Sequence, residues 1–140
     1  DLAIVPGRMP DVVLKTLKTE GVGTRFISAT SRMSSRKRWI AFAVPAHGTV
    51  RVNANASRAL LKGHKSLLPV GVTDVRGDFE SGDLVRVIDE DGIPVARGFV
   101  NYSSEEVRMI MGKKSSEIKR TLGHKEYDEL IHCDNLVVGI

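Results

Sequence analysis

The amino-acid sequence predicts an α+β fold that is rich in β-strands, with short helices flanking the strands. From Thr49 onward, short apolar segments alternate with turns, and the pair Asp91-Gly92 between two of these segments is a strong hairpin signal. Short helices with recognisable capping residues lie between and after the segments. The chain has 140 residues, 41% of them hydrophobic, which is enough for one compact domain or for one domain and part of another.

The first part of the chain has a different pattern. Residues 2–5 are predicted to form a short buried strand, and Pro10 begins a helical pattern that ends at Gly21 and Gly23. A strand followed by a helix is part of an α/β architecture, but one such unit cannot bury its own apolar face. We therefore expect this strand and helix to need a partner that lies outside this chain.

A short helix is predicted after a polar linker. The linker, at residues 30–35, is rich in Ser, Thr and Arg. Residues 36–43 then have the spacing of a short helix with Trp39, Ile40 and Ala43 on one side. A proline and a glycine end this helix before the first strand of the β-rich part.

Four strands are predicted in the β-rich part, at residues 50–52, 70–75, 84–88 and 93–100. Residues 130–138 are expected to add a closing strand with a polar interruption. Three short helices are predicted, over residues 55–62, 103–112 and 116–122. The first has Asn53 or Asn55 as its N-cap, and in the second Ser103 and Glu106 have capping-box spacing.

The positive charge of the chain is concentrated in its middle. The formal net charge is +4, yet no Asp or Glu occurs between Gly21 and Thr73, where the bases are Arg25, Arg32, Arg36, Lys37, Arg38, Arg51, Arg58, Lys62 and Lys65. Such a stretch favours binding of phosphate, carried by a nucleic acid or a nucleotide, or of an acidic surface on the same assembly. A solvated face, or one matched by the acidic second half of the chain, explains the same pattern, and both interpretations stay open.

Composition and spacing argue against several kinds of site. The lone Cys133 excludes an internal disulfide and a multi-cysteine metal site, and it is consistent with a reducing cytoplasm. Four histidines without i,i+4 pairing predict no metal site.

No apolar stretch approaches the roughly 18 residues of a membrane span, so no membrane association is expected. The start at Asp1 rather than at methionine leads us to expect that an upstream region was removed, although processing of the protein or a deliberately chosen fragment would give the same start.

Two short motifs are predicted to carry no chemistry. Lys65-Ser66 resembles the end of a phosphate-binding P-loop, but His64 and Ala59 stand where that loop requires glycine. The run His132-Cys133-Asp134 places a thiol beside a base, but adjacent residues of a strand point to opposite faces and cannot form the activating hydrogen bond. We therefore expect no catalytic residue in this chain and a structural role for the thiol.

The segment from Gly63 to Gly71 is the best candidate for a binding loop. It combines a helix stop, the basic Lys65 and apolar residues around a Pro-Val-Gly turn. The two glycines would let a ligand approach the backbone closely, and Lys65 would contact phosphate. An ordinary connection between a helix and a strand explains the same residues, so the sequence leaves both interpretations open.

Several runs of residues, in this order, resemble one protein family. They are Lys37-Arg38-Trp39-Ile40, Lys65-Ser66-Leu67-Leu68-Pro69-Val70-Gly71-Val72, Gly82-Asp83-Leu84-Val85-Arg86-Val87, Ala96-Arg97-Gly98, Asn101-Tyr102-Ser103-Ser104-Glu105, Gly112-Lys113-Lys114-Ser115-Ser116 and Asp134-Asn135-Leu136-Val137. These runs are similar to the C-terminal PUA region of the bacterial glutamate 5-kinases (gamma-glutamyl kinases). Upstream, Gly7-Arg8-Met9-Pro10 and Gly23-Thr24-Arg25-Phe26 resemble the last segment of that family's amino-acid-kinase domain.

The sequence departs from the family pattern at three places. Asn53-Ala54-Asn55-Ala56 stands where the family often has an Asp-x-Gly-Ala stretch, and His64 and Cys133 stand where Gly and Arg are expected. These departures affect the local geometry of the loop, and any binding role that depends on this geometry, more than they affect the fold.

The resemblance implies three parts and a parent enzyme. Residues 1–28 would be the end of a kinase domain, residues 29–48 a linker and short helix, and residues 49–140 a PUA domain, a pseudobarrel with short flanking helices. The parent would phosphorylate L-glutamate with ATP and magnesium, the first step of proline biosynthesis, at a site in the kinase domain. This chain alone is then expected to be an inactive accessory or regulatory module without a cofactor, located in the cytoplasm. Its partner would be the kinase domain of the same polypeptide, and self-association stays open.

The resemblance also implies an alternative function, because PUA domains elsewhere are RNA-binding modules. The family groove involves the first helix, its glycine loop and the adjoining strands. Mapped onto this chain, it predicts RNA or phosphate contacts for Arg58, Lys62, Gly63, Lys65, Ser66 and Gly71. Only 5% of the residues are aromatic, and Trp39, Phe79 and Phe99 are expected in the core, so recognition of shape and phosphate is favoured over base stacking.

Overall fold

The computed structural model describes residues 2–18, 21–27, 35–42 and 45–139. The chain divides into two units, Asp1–Arg32 and Met33–Ile140. Most of the predicted linker lies outside the described residues, as does Ala43 of the predicted short helix.

The first unit contains a two-stranded antiparallel sheet and one helix. β1 (Leu2–Ile4) pairs with β2 (Thr24–Phe26), and α1 (Val12–Leu17) lies between them in the chain. The predicted strand and helix are present, but the expected burial of the strand is wrong, since Leu2 and Ile4 are 61% and 60% exposed. β2 was not predicted. Apolar side chains stay more than half exposed: Leu2, Ile4, Val13, Leu14 and Leu17. As expected, this unit does not bury its own apolar face.

Five strands of the second unit form one mixed sheet. They are β3 (Gly48–Val52), β4 (Val72–Gly77), β5 (Leu84–Ile88), β6 (Pro94–Phe99) and β7 (Leu136–Val138), in the order β4-β3-β5-β6-β7. β3 runs parallel to β5, and the other neighbouring pairs are antiparallel. With the helices that accompany this sheet, the predicted α+β, β-rich class is confirmed.

The predicted hairpin joins β5 to β6. The carboxylate of Asp89 accepts the backbone N–H groups of Asp91 at 3.0 Å and of Ile93 at 2.8 Å. Gly92 has a φ of 85°, a left-handed conformation that glycine adopts without a steric penalty. A side chain that caps the turn and a glycine at the left-handed position together explain why the Asp-Gly pair predicts this turn correctly.

The helices of the second unit are α2 (Ser35–Phe42), α3 (Ala54–Leu61), α4 (Ser104–Ile110) and α5 (Ile118–Leu122). The predicted caps are confirmed. Asn53 is the N-cap of α3, and its Oδ1 accepts the N–H of Ala56 at 2.9 Å. α4 begins with a capping box in which the N–H of Ser103 donates to the carboxylate of Glu106 at 2.9 Å. α5 ends at Gly123, whose φ is 83°.

Two predicted strands are wrong at their beginnings, where turns replace extended backbone. The strand predicted at residues 70–75 begins only at β4, because Pro69–Gly71 form a 3-10 turn. Proline favours the first position of such a turn because its φ is fixed. Within residues 130–138 only β7 is a strand, and another 3-10 turn, at Cys133–Asn135, precedes it.

α2 packs onto the sheet through a small second core. Ile40 and Ala41 are buried together with Leu84 of β5 and Val137 of β7. The guanidinium of Arg97 donates to the backbone carbonyl of Ala41 at 2.5 Å and ties the end of α2 to β6. The helix is therefore an integral part of the second unit.

The core position predicted for Trp39 is wrong. Its side chain is 52% exposed, although the ring stacks on Phe99 with 5.5 Å between the ring centroids. Successive residues of a helix are rotated by about 100°, so burial of Ile40 and Ala41 turns Trp39 outward. Phe79 is buried as predicted, and Phe99 is partly buried.

Tyr102 anchors the loop after α5 to the main core. Its ring is buried, and its hydroxyl donates to the carbonyl of Tyr127 at 2.6 Å and accepts the N–H of the same residue at 3.1 Å. Two backbone groups of one residue thus share a single buried hydroxyl.

We expect Tyr102→Phe to lower the free energy of unfolding by about 1–3 kcal/mol, because it leaves both backbone groups of Tyr127 without their partner. Urea denaturation of the chain measures this change. Tyr127→Phe is the matched control, since that side chain is 47% exposed, and it should change stability by less than about 0.5 kcal/mol. Equal effects of the two substitutions would contradict this role of the hydroxyl.

Candidate nucleic-acid interface

α3 and the loop after it place three predicted basic residues together. Arg58, Lys62 and Lys65 line one surface groove of about 300 Å³, together with Asn55 and Ala59. A helix brings residues three and four positions apart onto one face, which explains the alignment of Arg58 and Lys62. Lys65 joins them because the chain turns back immediately after α3. We call this the basic groove.

Hydrogen bonds to α3 itself hold the guanidinium of Arg58. Its Nε donates to the carbonyl of Ala54 at 3.2 Å, and its Nη2 donates to Oδ1 of Asn55 at 2.6 Å. These partners are neutral, so the charge of Arg58 is oriented but not neutralised. The same Asn55 stands in the stretch that departs from the family pattern.

No carboxylate of the described residues forms an ion pair with Arg58, Lys62 or Lys65. The ion pairs that the described part of the chain does show with Asp or Glu involve other bases, such as Arg76 with Asp74 and Arg120 with Glu117. The acidic second half of the chain therefore does not match this groove by direct pairing. A solvated basic face and an anion-binding surface both agree with this arrangement, and anion binding stays a prediction.

A second groove, mainly apolar, adjoins the basic groove. It has a volume of about 310 Å³ and is lined by Asn53, Asn55, Ala56, Ala59, Leu60, Ser66, Leu67, Leu68, Val70 and Gly71. Asn55 and Ala59 belong to both grooves. A ligand that lies across this boundary would meet apolar surface on one side and cations on the other.

Three other residues were predicted to contact a ligand, and each has a role in the structure of the loop. They are Ser66, Gly71 and Gly63. The hydroxyl of Ser66 accepts the backbone N–H of Cys133 at 3.0 Å. A Cβ on Gly71 would lie 2.6 Å from the Cβ of Ala56, so this glycine lets the turn pack directly on α3. Gly63 has a φ of 83° and stands in open space. Contact of these residues with a ligand stays a prediction.

His64 adopts a left-handed conformation with a φ of 54°, directly after the left-handed Gly63. A side chain at such a position costs about 1–2 kcal/mol relative to glycine. The family expectation of glycine at this position agrees with the backbone conformation. The loop therefore carries local strain beside the basic groove.

A third depression, of about 240 Å³, connects the loop to α2 and β7. It is lined by Lys37, His64, Lys65, Cys133, Leu136, Val137 and Val138. Lys65 belongs both to this depression and to the basic groove. Lys37 is thus a candidate binding residue that the sequence analysis did not predict. Its place in the acid-free stretch was the available signal, but its proximity to Lys65 arises only when α2 packs on β7.

His132, Cys133 and Asp134 were predicted to lie on a strand, with side chains pointing to opposite faces. This placement is wrong. Residues 133–135 form a 3-10 turn, and the N–H of Asp134 donates to Nδ1 of His132 at 3.2 Å. The turn brings the three side chains together, with their ligand atoms within 4.8 Å of one another. Sγ of Cys133 lies 4.0 Å from Nδ1 of His132.

We assign no metal to this cluster. Nδ1 of His132 already accepts a backbone hydrogen bond, and two lysines, Lys37 and Lys65, line the depression that contains Cys133. Nearby cations raise the electrostatic cost of a bound metal ion. The expectation that the chain holds no metal stays a prediction.

Comparison with known proteins identifies the class of this fold. The family model described as PUA domain matches residues 48–122, more than half of the chain. The chain therefore belongs to the PUA domain family, which confirms the predicted fold type.

The resemblance to glutamate 5-kinases is also confirmed. The glutamate 5-kinase of Syntrophus aciditrophicus (strain SB) is 48% identical over 135 residues, which are 96% of this chain and 35% of the relative. The glutamate 5-kinase of Synechococcus sp. (strain JA-3-3Ab) is 45% identical over 137 residues, 98% of this chain and 37% of the relative. The chain thus spans about a third of the length of these curated relatives.

A solved structure of a PUA domain from Aeropyrum pernix K1, in complex with tartrate, is 27% identical with a TM-score of 0.46. The match covers 68% of this chain and 48% of that chain. Among the described residues of the present chain, no helix is long and apolar enough to cross a membrane.

We expect Gly71→Ala to lower the free energy of unfolding by about 1–3 kcal/mol, because the new methyl group would overlap the Cβ of Ala56. Chemical denaturation measures the loss. In an Ala56→Gly background the methyl group has space, so the same substitution should cost clearly less, and the difference is the coupling energy. If the cost is the same in both backgrounds, the contact between the turn and α3 is not what requires glycine.

Proposed function

We propose that this chain is the accessory, regulatory region of a glutamate 5-kinase and that it has no kinase activity by itself. The observation that carries the proposal is the similarity to glutamate 5-kinases at 48% and 45% identity over nearly the whole chain. These relatives are about three times longer, and the parent reaction would transfer phosphate from ATP, with magnesium, to the side-chain carboxylate of L-glutamate. It would take place in the cytoplasm as the first step of proline biosynthesis.

The catalytic site of the parent would lie outside this chain. Phosphoryl transfer requires several cationic groups and metal ions held around the phosphates. The described residues of the first unit form only two short strands and one helix, with an exposed apolar face. Exposed apolar side chains on β1 and α1 support docking of this unit on a kinase domain of the same polypeptide, where the cofactors would bind. Self-association of the parent is a further proposal.

A full-length glutamate 5-kinase that contains this sequence tests the accessory role. Removal of the second unit, residues 33–140, should leave phosphorylation of glutamate in place but change the assembly of the enzyme or its response to regulators. Steady-state kinetics and sedimentation measure these properties. The isolated chain should show no ATP turnover with glutamate and magnesium.

Two outcomes would contradict this proposal. Turnover by the isolated chain would show that it is catalytic. A truncated enzyme with unchanged kinetics, regulation and assembly would show that the region is not a regulatory module of the kinase.

A second candidate function is RNA binding, and the basic groove favours it. Three cations without carboxylate partners among the described residues line one groove, as the PUA resemblance predicts for RNA contacts. Contacts between lysine or arginine and phosphate release counterions, so such binding weakens with salt. The apolar groove alongside would accommodate the sugar and base edges of a bound strand.

Fluorescence anisotropy with a structured RNA tests this function. Three phosphate contacts predict an affinity that falls about 20- to 40-fold between 50 and 200 mM salt. Lys65→Glu and Arg58→Glu should each weaken binding and reduce the salt dependence. Lys119→Glu on α5 is the matched control, because it makes the same charge change at an exposed site outside the groove. Equal losses for Lys119→Glu and Lys65→Glu would mean that net charge, not this groove, governs binding.

A further inference from the structure

The exposed face of α2 carries two large aromatic side chains. Trp39 is 52% exposed and Phe42 is 73% exposed, whereas Ile40 and Ala41 hold the helix on the sheet. The ring of Trp39 stacks on Phe99 at 5.5 Å between centroids and an interplanar angle of 30°. One face of the indole is therefore supported by the protein, and the exposed part is held in a defined orientation.

The part of the chain that carries this aromatic face is basic. Arg36, Lys37 and Arg38 directly precede Trp39, and no acidic residue occurs between Gly21 and Thr73. The guanidinium of Arg36 donates to Oδ1 of Asn135 at 2.6 Å, a neutral partner. Arg38 is exposed. An exposed aromatic ring that directly follows basic residues in the chain favours an anionic partner that also carries flat rings.

The basic groove and α2 belong to one continuous surface. Lys37 of α2 lines the third depression together with His64 and Lys65, and Lys65 also lines the basic groove. A strand whose phosphates follow the basic groove to Lys65 would next reach Lys37. From there it would cross α2, whose outer face presents Trp39.

We propose that the outer face of α2 is a base-stacking site for single-stranded RNA. An unpaired base stacks on the indole of Trp39, and the exposed Arg38 contacts a neighbouring phosphate. Stacking on an aromatic ring tolerates any base, because every base has a flat face, and it requires that the base is not already paired. This proposal rests on the RNA-binding function and adds a preference for unpaired segments that the basic groove alone does not supply.

Trp39 is the only tryptophan of the chain, so its fluorescence reports on this site without labelling. We would titrate the whole chain with a short single-stranded RNA of mixed sequence and with the same sequence as a duplex. The single strand should quench the tryptophan emission in parallel with the rise in RNA anisotropy. The duplex should bind through phosphate contacts and leave the emission nearly unchanged.

Substitutions separate stacking from charge. Trp39→Ala should weaken single-strand binding about 5- to 150-fold, the range expected for the loss of one stacked base, and should change duplex binding by less than about twofold. Trp39→Phe should retain most of the affinity because it keeps an aromatic ring. Tyr127→Ala is the matched control, since it removes an exposed aromatic ring that lies outside the three depressions.

A folding defect of Trp39→Ala would be visible in its thermal unfolding curve. Arg38→Glu then provides the second test, because this side chain is exposed and its replacement should weaken single-strand binding while the fold is kept.

The outcomes separate this proposal from the function on which it rests. Binding that depends on Lys65 but leaves Trp39 emission unchanged, with Trp39→Ala equal to the unaltered chain, overturns the stacking site and retains RNA binding. No binding of either RNA overturns both. If the emission of Trp39 responds to an added kinase domain and not to RNA, the face is a protein-docking surface and the proposal is wrong.

Discussion

The contact between the Pro69–Gly71 turn and the beginning of α3 positions the grooves of this domain. Gly71 lies so close to Ala56 that a single added methyl group would overlap it. The N–H of Asn53 donates to the carbonyl of Gly71 at 2.9 Å, and the side chain of Asn53 caps α3. The same residue thus begins the helix and fastens it to the turn. Because close packing resists small displacements, the orientation of α3 is well determined.

The position of α3 has electrostatic consequences. Arg58 and Lys62 face Lys65 across a shared groove, and no carboxylate of the described residues pairs with them. Like charges repel one another, and a bound anion would relieve this repulsion. The left-handed His64 adds local strain in the same loop. A strained residue beside a basic groove agrees with the proposal that this surface binds an anionic ligand.

Two proposed roles of this chain depend on different surfaces. Docking to a kinase domain would use the exposed apolar side chains of the first unit, whereas RNA would use α3, the following loop and α2 in the second unit. Substitutions in one unit therefore test one proposal without altering the residues of the other. α2 is the first helix of the second unit, and Arg97 together with the small core around Ile40 holds it on the sheet. A ligand on α2 would thus contact the end of the second unit that follows the linker.

The sequence predicted those features that depend on residues a few positions apart. The Asp89 turn, the Asn53 cap and the Ser103 capping box all rest on hydrogen bonds within four residues, and the structure contains each of them. Runs of apolar residues also located the strands. The errors occurred where a turn competes with a strand, at Pro69–Gly71 and Cys133–Asn135, because apolar residues continue through both turns or beside them.

The sequence by itself determined the fold class, the caps, the hairpin and the basic character of the middle of the chain, since these follow from local hydrogen bonding and from composition. Only the tertiary structure decided which basic residues meet in one groove, that Lys37 lies near Lys65, and that Trp39 faces outward. The physical reason is that proximity and burial depend on how α2 and α3 pack on a sheet whose strands come from distant parts of the chain. No local pattern contains that information.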